Sequence, residues 1–219
     1  MSERIESSFE KKLNYSTHGI GFILSCIGLF FLVNKSLTLQ KDFSLISSMI
    51  YGFSLSGMYL SSTLYHYFID SKFSNFLQKI DHISIYLLIA GSYTPPLLLK
   101  LNYSLGSEIF IIIWSLAVVG IIHKIFFFQY YSKASLLIYL FMGWLIIIDF
   151  NSVLKVFSTD GIALMVSGGI FYTLGTVFYA RDRMKYNHVI WHVFVMAGSA
   201  CHYFPVSYTH LTLPTTLVV

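Results

Sequence analysis

The feature that most constrains this chain is its series of long, almost uncharged apolar runs. A helix needs ~20 apolar residues to cross ~30 Å of hydrocarbon, and runs of that length mark spanning segments. Seven are read, at about 16–34, 44–66, 81–99, 107–124, 132–150, 160–180 and 187–206. With 56% of the 219 residues hydrophobic and only 11% charged, too few side chains remain to cover a water-soluble domain. The connections are short, so the expectation is one polytopic, all-α, seven-transmembrane helix bundle over residues 1–205. Helices are the economical choice because each satisfies its own backbone in lipid.

Two cysteines, Cys26 and Cys201, both fall inside spans, which argues against a disulfide framework. The opening stretch `MSERIESSFEKKLNYS` lacks a signal-peptide layout and reads as a short amphipathic helix leading into the first span. A net charge of +4 leaves no footprint for nucleic acid. Its distribution is more informative. Arg4, Lys11, Lys12, Lys72, Lys79, Lys124, Lys133, Arg181, Arg183 and Lys185 fall on the N-terminal side of the membrane. Lys35, Lys41, Lys100 and Lys155 fall on the other. The positive-inside rule then places the N-terminus in the cytoplasm and, with seven spans, the C-terminus outside. Abundant Lys, Asn, Ile, Phe and Tyr fit an AT-rich bacterial genome, so the expected location is a bacterial inner (plasma) membrane.

The tail `VSYTHLTLPTTLVV`, residues 206–219, breaks the apolar pattern of the last span after Pro205. It reads as a transposon-end sequencing adapter translated in frame, a scar to be set apart from the fold. His210 is discounted as a site residue on that ground.

Ionisable groups within spans are costly and mark functional candidates. The second span ends near the cytoplasmic face in `SSTLYH`, which carries Ser62 and His66. The third begins there with Asp81 and His82, and the seventh begins there with `HVIWH`, His188 and His192. These groups, distant in sequence, share one depth. Residues i and i+4 lie on one helix face ~6 Å apart along the axis, so His188 and His192 can bind one ion together. His66 would complete a three-histidine site with an open fourth position, the layout of catalytic zinc. Imidazole nitrogens suit zinc without excluding other transition metals. Asp81 could accept a hydrogen bond from water at the metal or orient a ligand imidazole, and Ser62 lies one turn before His66 on the same face. The bland alternative is that the histidines and Ser62 are polar packing contacts between membrane helices. His18, in `STHGIG`, lies on the same inner side and reads as packing or as support for a ligand. His82 should point to a different neighbour, and His202 is too deep to join. Asp149 reads as an interface residue at the outer end of the fifth span. Pro95 and Pro96 should kink or end the third span near its outer end, and the glycines of `SGGIFYTLGTVFY` should permit close helix contact.

The motifs `NYSTHGIGF`, `SSTLYHYF`, `IDHISIYLLIAGSYTP` and `NHVIWHVFVMAGSACHYF` resemble, in order and placement, the bacterial hemolysin III proteins. These belong to the progestin and adipoQ receptor family, which includes the adiponectin receptors, and are more distantly similar to alkaline ceramidases. The resemblance implies seven helices, a cytoplasmic N-terminus and a zinc ion near the inner leaflet. By position it places the zinc ligands on His66, His188 and His192. It places the aspartate that faces the water at the metal on Asp81, and the serine preceding the first ligand on Ser62. The expected function is a zinc-dependent intramembrane hydrolase acting on a membrane lipid amide or ester. Two rivals stand beside it: cytolytic pore formation, and a zinc-containing sensor of membrane lipid state. No polar stripe repeats down several spans to line an aqueous pore.

Overall fold

A computed structural model describes residues 6–39, 41–127, 132–181 and 183–209, and the described residues form helices joined by short loops. In chain order they are α1 (Ser8–Leu39), α2 (Ser44–Tyr67), α3 (Ser74–Leu99), α4 (Gly106–Phe127) and α5 (Ser132–Gly143). A short 3-10 turn (Leu145–Asp149) follows, then α6 (Phe150–Val156), α7 (Thr159–Tyr179) and α8 (Asn187–Thr209). Among the described residues, six segments are long and apolar enough to cross a membrane: α1, α3, α4, the composite 135–156 segment, α7 and α8. The remaining long helix, α2, is 24 residues long but carries seven serines and a terminal histidine, which lower its apolarity.

Burial is inverted relative to a soluble protein, as lipid solvent requires. Phe30 (63% exposed), Ile111 (64%) and Val119 (62%) face outward, while Ser47, Asn14, His66 and Asp81 are buried. α1 packs along α2, α2 along α3, and α7 along α8, and α8 closes against both α1 and α3. The bundle thereby brings the starts of α1, α3 and α8 together with the end of α2. Glycines on α7 make the α7–α8 approach close. At Gly175 an added Cβ would lie 2.8 Å from atoms of Trp191 and Phe194, and at Gly168 it would collide with the His202 ring.

The helix boundaries depart from the apolar runs in informative ways. α1 begins eight residues before its run because Ser7 and Glu10 form a capping box. The Glu10 N–H donates to Ser7 Oγ at 3.2 Å, and the Ser7 N–H donates to Glu10 Oε2 at 3.0 Å. The expected amphipathic lead-in is thus the first part of one continuous helix. The fifth run is broken after Gly143. Tyr93 from α3 inserts its hydroxyl at the break, donating to the Gly143 carbonyl at 2.8 Å and accepting from the Ile146 N–H at 3.1 Å. Non-helical backbone at membrane depth is tolerated where protein groups satisfy it in this way. α3 runs through Pro95 and Pro96 and ends one turn later at Leu99. α8 continues through Pro205 to Thr209, and Lys35 donates to the Ser207 carbonyl at 2.7 Å. The rest of the suspected adapter segment, 210–219 with His210, lies outside the described residues.

Candidate metal centre

His66 ends α2 and projects between the first turns of α8, where the i, i+4 spacing puts His188 and His192 on one face. The His66 ring lies 4.7 Å from that of His188 and 4.9 Å from that of His192, and the last two are 4.7 Å apart, centroid to centroid. One nitrogen from each can be chosen so that all three lie within 4.8 Å of one another. Ideal tetrahedral zinc, with Zn–N near 2.0–2.1 Å, needs donors about 3.3 Å apart, so side-chain shifts of about an ångström close the triangle.

The chemistry of the donors fits a metal. His66 is 3% exposed, and neither of its ring nitrogens has a hydrogen-bond partner among the described residues. Buried polar atoms are almost always paired, so an orphaned imidazole between two others points to an absent partner, an ion or a water. His192 presents its Nδ1 to the Asn14 carbonyl at 3.2 Å and to Thr17 Oγ1 at 3.1 Å.

Asp81 and Ser62 join this group across the α2–α3 contact. Both are buried, and the Ser62 hydroxyl faces the Asp81 carboxylate. Together with His18, His188 and His192 they line one end of a cavity of about 110 Å³. The cavity continues between α3, α5, α7 and α8 to Tyr93, Trp144 and His202. Asp81 and Tyr93 are twelve residues apart on α3, so the space extends ~18 Å along the bundle. A second cavity of about 80 Å³ shares Tyr93, Trp144, Gly169 and His202 with it and reaches Val206.

The other candidate polar residues resolve separately. His82 turns away from the triad: its Nδ1–H donates to the Gln78 carbonyl at 2.8 Å, and its Nε2 accepts from the Tyr179 hydroxyl at 3.2 Å. His202 donates from Nε2 to the Met165 carbonyl at 3.1 Å, well beyond the triad. Asp149 accepts from the Leu105 N–H at 3.2 Å, tying the α3–α4 loop to the composite segment. Cys26 and Cys201 are free thiols, and Cys26 is exposed on the outside of the bundle.

Contributors that the apolar pattern did not reveal come from α1. His18 stacks on His192 with centroids 3.6 Å apart and planes 19° from parallel. Glu10, Asn14 and His18 are all buried, at i, i+4 spacing on one face of α1. That polar stripe, preceded by the S-x-x-E capping box, was the available signal.

Comparison with known proteins shows the family. The family model described as "Haemolysin-III related" matches residues 8–203. The "Hemolysin-3 homolog" of Bacillus subtilis (strain 168) is 42% identical over 205 residues, covering 94% of this chain and 96% of that protein. The "Hemolysin-3" of Bacillus cereus is 41% identical over 206 residues, covering 94% and 93%. The human "Monocyte to macrophage differentiation factor" is 30% identical over 209 residues, covering 90% and 83%. An all-helical bundle with multiple apolar spans, matched along nearly its whole length, identifies the chain as a multi-span membrane protein of the haemolysin-III related family.

Proposed function

We propose that the protein is a zinc-dependent hydrolase that cleaves a lipid amide or ester within the membrane. The observation that carries this reading is that three imidazoles come within reach of one ion, and that two of them, His188 and His192, line one end of an elongated, largely apolar cavity together with Asp81 and Ser62. His66, His188 and His192 would hold the ion, leaving a fourth position open. When bound, zinc would act as a Lewis acid that polarises a carbonyl oxygen and lowers the pKa of water towards ~7. Asp81 would take the proton from the attacking water and pass it to the leaving nitrogen or oxygen. Ser62 would donate to the carbonyl oxygen as negative charge develops there. The walls towards Trp144 and Tyr172 would receive a hydrocarbon chain and exclude bulk water. The amide preference rests on the resemblance to alkaline ceramidases, since a fold by itself hosts many substrates.

In this reading α2 is a seventh span, its serines facing the bundle interior and its neighbours α1 and α3 covering it. With seven spans, the basic loops would put the N-terminus in the cytoplasm of a bacterial cell and the C-terminus outside. Residues 206–219 would be an adapter-derived tail whose first residues, 206–209, extend α8, and resequencing the locus tests that assignment directly.

The decisive measurement is zinc content and lipid-amide turnover of the purified chain. Wild-type protein should hold one zinc per chain, and His66→Ala should lose it. Asp81→Asn should keep zinc and lose about 10²–10⁴-fold in turnover, with Ser62→Ala reducing turnover less. Absence of zinc from the wild type would end the metal reading. Zinc without turnover in any variant would favour a sensor, and leakage of liposomes by purified protein would favour a pore.

A further inference from the structure

We propose that Thr17 is a positioning residue of the three-histidine centre, selecting which nitrogen of His192 faces the ion. The proposal rests on the metal reading above and concerns a helix, α1, that supplies none of the three ligands.

The assignment follows from counting protons. Thr17 Oγ1 lies 2.9 Å from the Leu13 carbonyl and 2.9 Å from the Asn14 carbonyl, and carbonyls only accept. The single hydroxyl proton thus has two backbone acceptors within reach. The same oxygen faces His192 Nδ1 at 3.1 Å. The Asn14 carbonyl lies 3.2 Å from that nitrogen and can only accept, which puts the N–H on Nδ1. Thr17 Oγ1, its own proton turned to the helix backbone, then accepts beside it. A neutral imidazole carries one proton, so Nε2 keeps its lone pair and is the atom left to ligate.

Hydrogen bonds at one edge still allow a ring to tilt, and His18 removes that freedom. Its ring is stacked on His192 and is backed by Tyr59 at 5.1 Å, edge to face. Glu10 anchors the other end of the contact. Its Oε1 accepts the Tyr186 N–H at 2.7 Å, at a residue held at φ 58° immediately before α8 begins. A non-glycine residue in the left-handed region is strained and persists where its surroundings hold it. The first three turns of α1 thus hold the start of α8, which carries two of the three ligands, and hold His192 by edge and by face. A metal-ligating histidine ordinarily gives its other nitrogen to an oxygen acceptor, and losing such an acceptor typically weakens metal binding 10–100-fold.

The test uses the full chain purified in detergent, with zinc affinity measured by chelator competition and cobalt(II) as a spectroscopic probe. Thr17→Val keeps the shape but removes the acceptor, and Thr17→Ser keeps the acceptor. Thr17→Val should weaken zinc about tenfold and perturb the cobalt spectrum, while Thr17→Ser stays close to wild type. His18→Phe keeps the stack without nitrogens and should bind zinc as wild type does. Equal affinity in Thr17→Val and wild type would overturn the proposal. So would equal weakening by Thr17→Val and Thr17→Ser, which would reduce Thr17 to packing. Loss of zinc in His18→Phe would make His18 a ligand and remove its stacking role. Isotope-edited NMR of the histidine nitrogens reads the tautomer without any metal. A proton on His192 Nε2 in the metal-free wild type would sink the proposal even if zinc binds. A wild type that binds no zinc but protonates Nδ1 would defeat the metal reading alone.

Discussion

Replacing His66 by leucine should change the stability of the protein in opposite directions with and without metal. In the metal-free protein the imidazole is buried with both nitrogens unpaired. Each buried unsatisfied polar atom costs about 1–3 kcal/mol in a soluble protein. In a membrane the unfolded reference also buries the group, and the difference shrinks to about 1–2 kcal/mol. Leucine is of similar bulk, so His66→Leu fills the same space without the polar cost. The metal-free variant should therefore be more stable than wild type by about 1–2 kcal/mol, or about 2–8 °C in melting temperature. Zinc at a hundredfold excess over its dissociation constant stabilises the native state by about 2.7 kcal/mol. The leucine variant lacks a third ligand and forfeits most of that gain. With zinc present the order should reverse, wild type leading by about 1 kcal/mol. The assay is thermal unfolding in detergent or nanodiscs, run after chelation and again with added zinc. A variant less stable than wild type under both conditions would show that the imidazole is already satisfied without a metal. A variant more stable under both would show that no metal binds there. Either result refutes the reasoning from the orphaned ring.

Gly175→Ala places a methyl group 2.8 Å from atoms of Trp191 and Phe194. It should destabilise the protein by about 1–3 kcal/mol. Because Trp191 lies between the two histidines on α8, zinc affinity should fall as well, and a variant that melts and binds like wild type would show that α7 is not packed this closely. Single cysteines introduced at Lys12 and at Lys41 in a Cys26→Ser, Cys201→Ser background should label from opposite sides of the membrane. Lys12 should be blocked only by reagents that enter the cytoplasm. Labelling of both from the same side would remove α1 as a span.

Much of the architecture was legible in the chain because hydropathy in a membrane is a local property. A segment crosses lipid on its own composition, and seven apolar runs anticipated the positions of the long helices. The second run was read as a span like the others, whereas α2, with its seven serines, is not among the six segments apolar enough to cross a membrane. The start of α1 was not read from hydropathy, which placed it near residue 16; the Ser7–Glu10 capping box begins it eight residues earlier. The break in the fifth run was not legible either. It depends on the Tyr93 hydroxyl, 50 residues away, reaching the Gly143 carbonyl and relieving the interrupted helix of an unpaired group.

The same division holds at the site. Helical periodicity alone put His188 and His192 on one face, and alternating loop charge put His66 and Asp81 at their depth. Whether the three imidazoles meet depends on how α2 and α8 pack, and the bundle brings their nitrogens within 4.8 Å of one another. Which nitrogen of His192 is free depends on Thr17, 175 residues away along the chain. Spacing and hydropathy act along a single helix and can be read from its residues. Hydrogen-bond partners and ring stacking act between helices, at distances set only when the bundle closes, so Asn14 and Thr17 joined the centre only in the folded chain, and His18, a candidate by depth, found its place against His192 there.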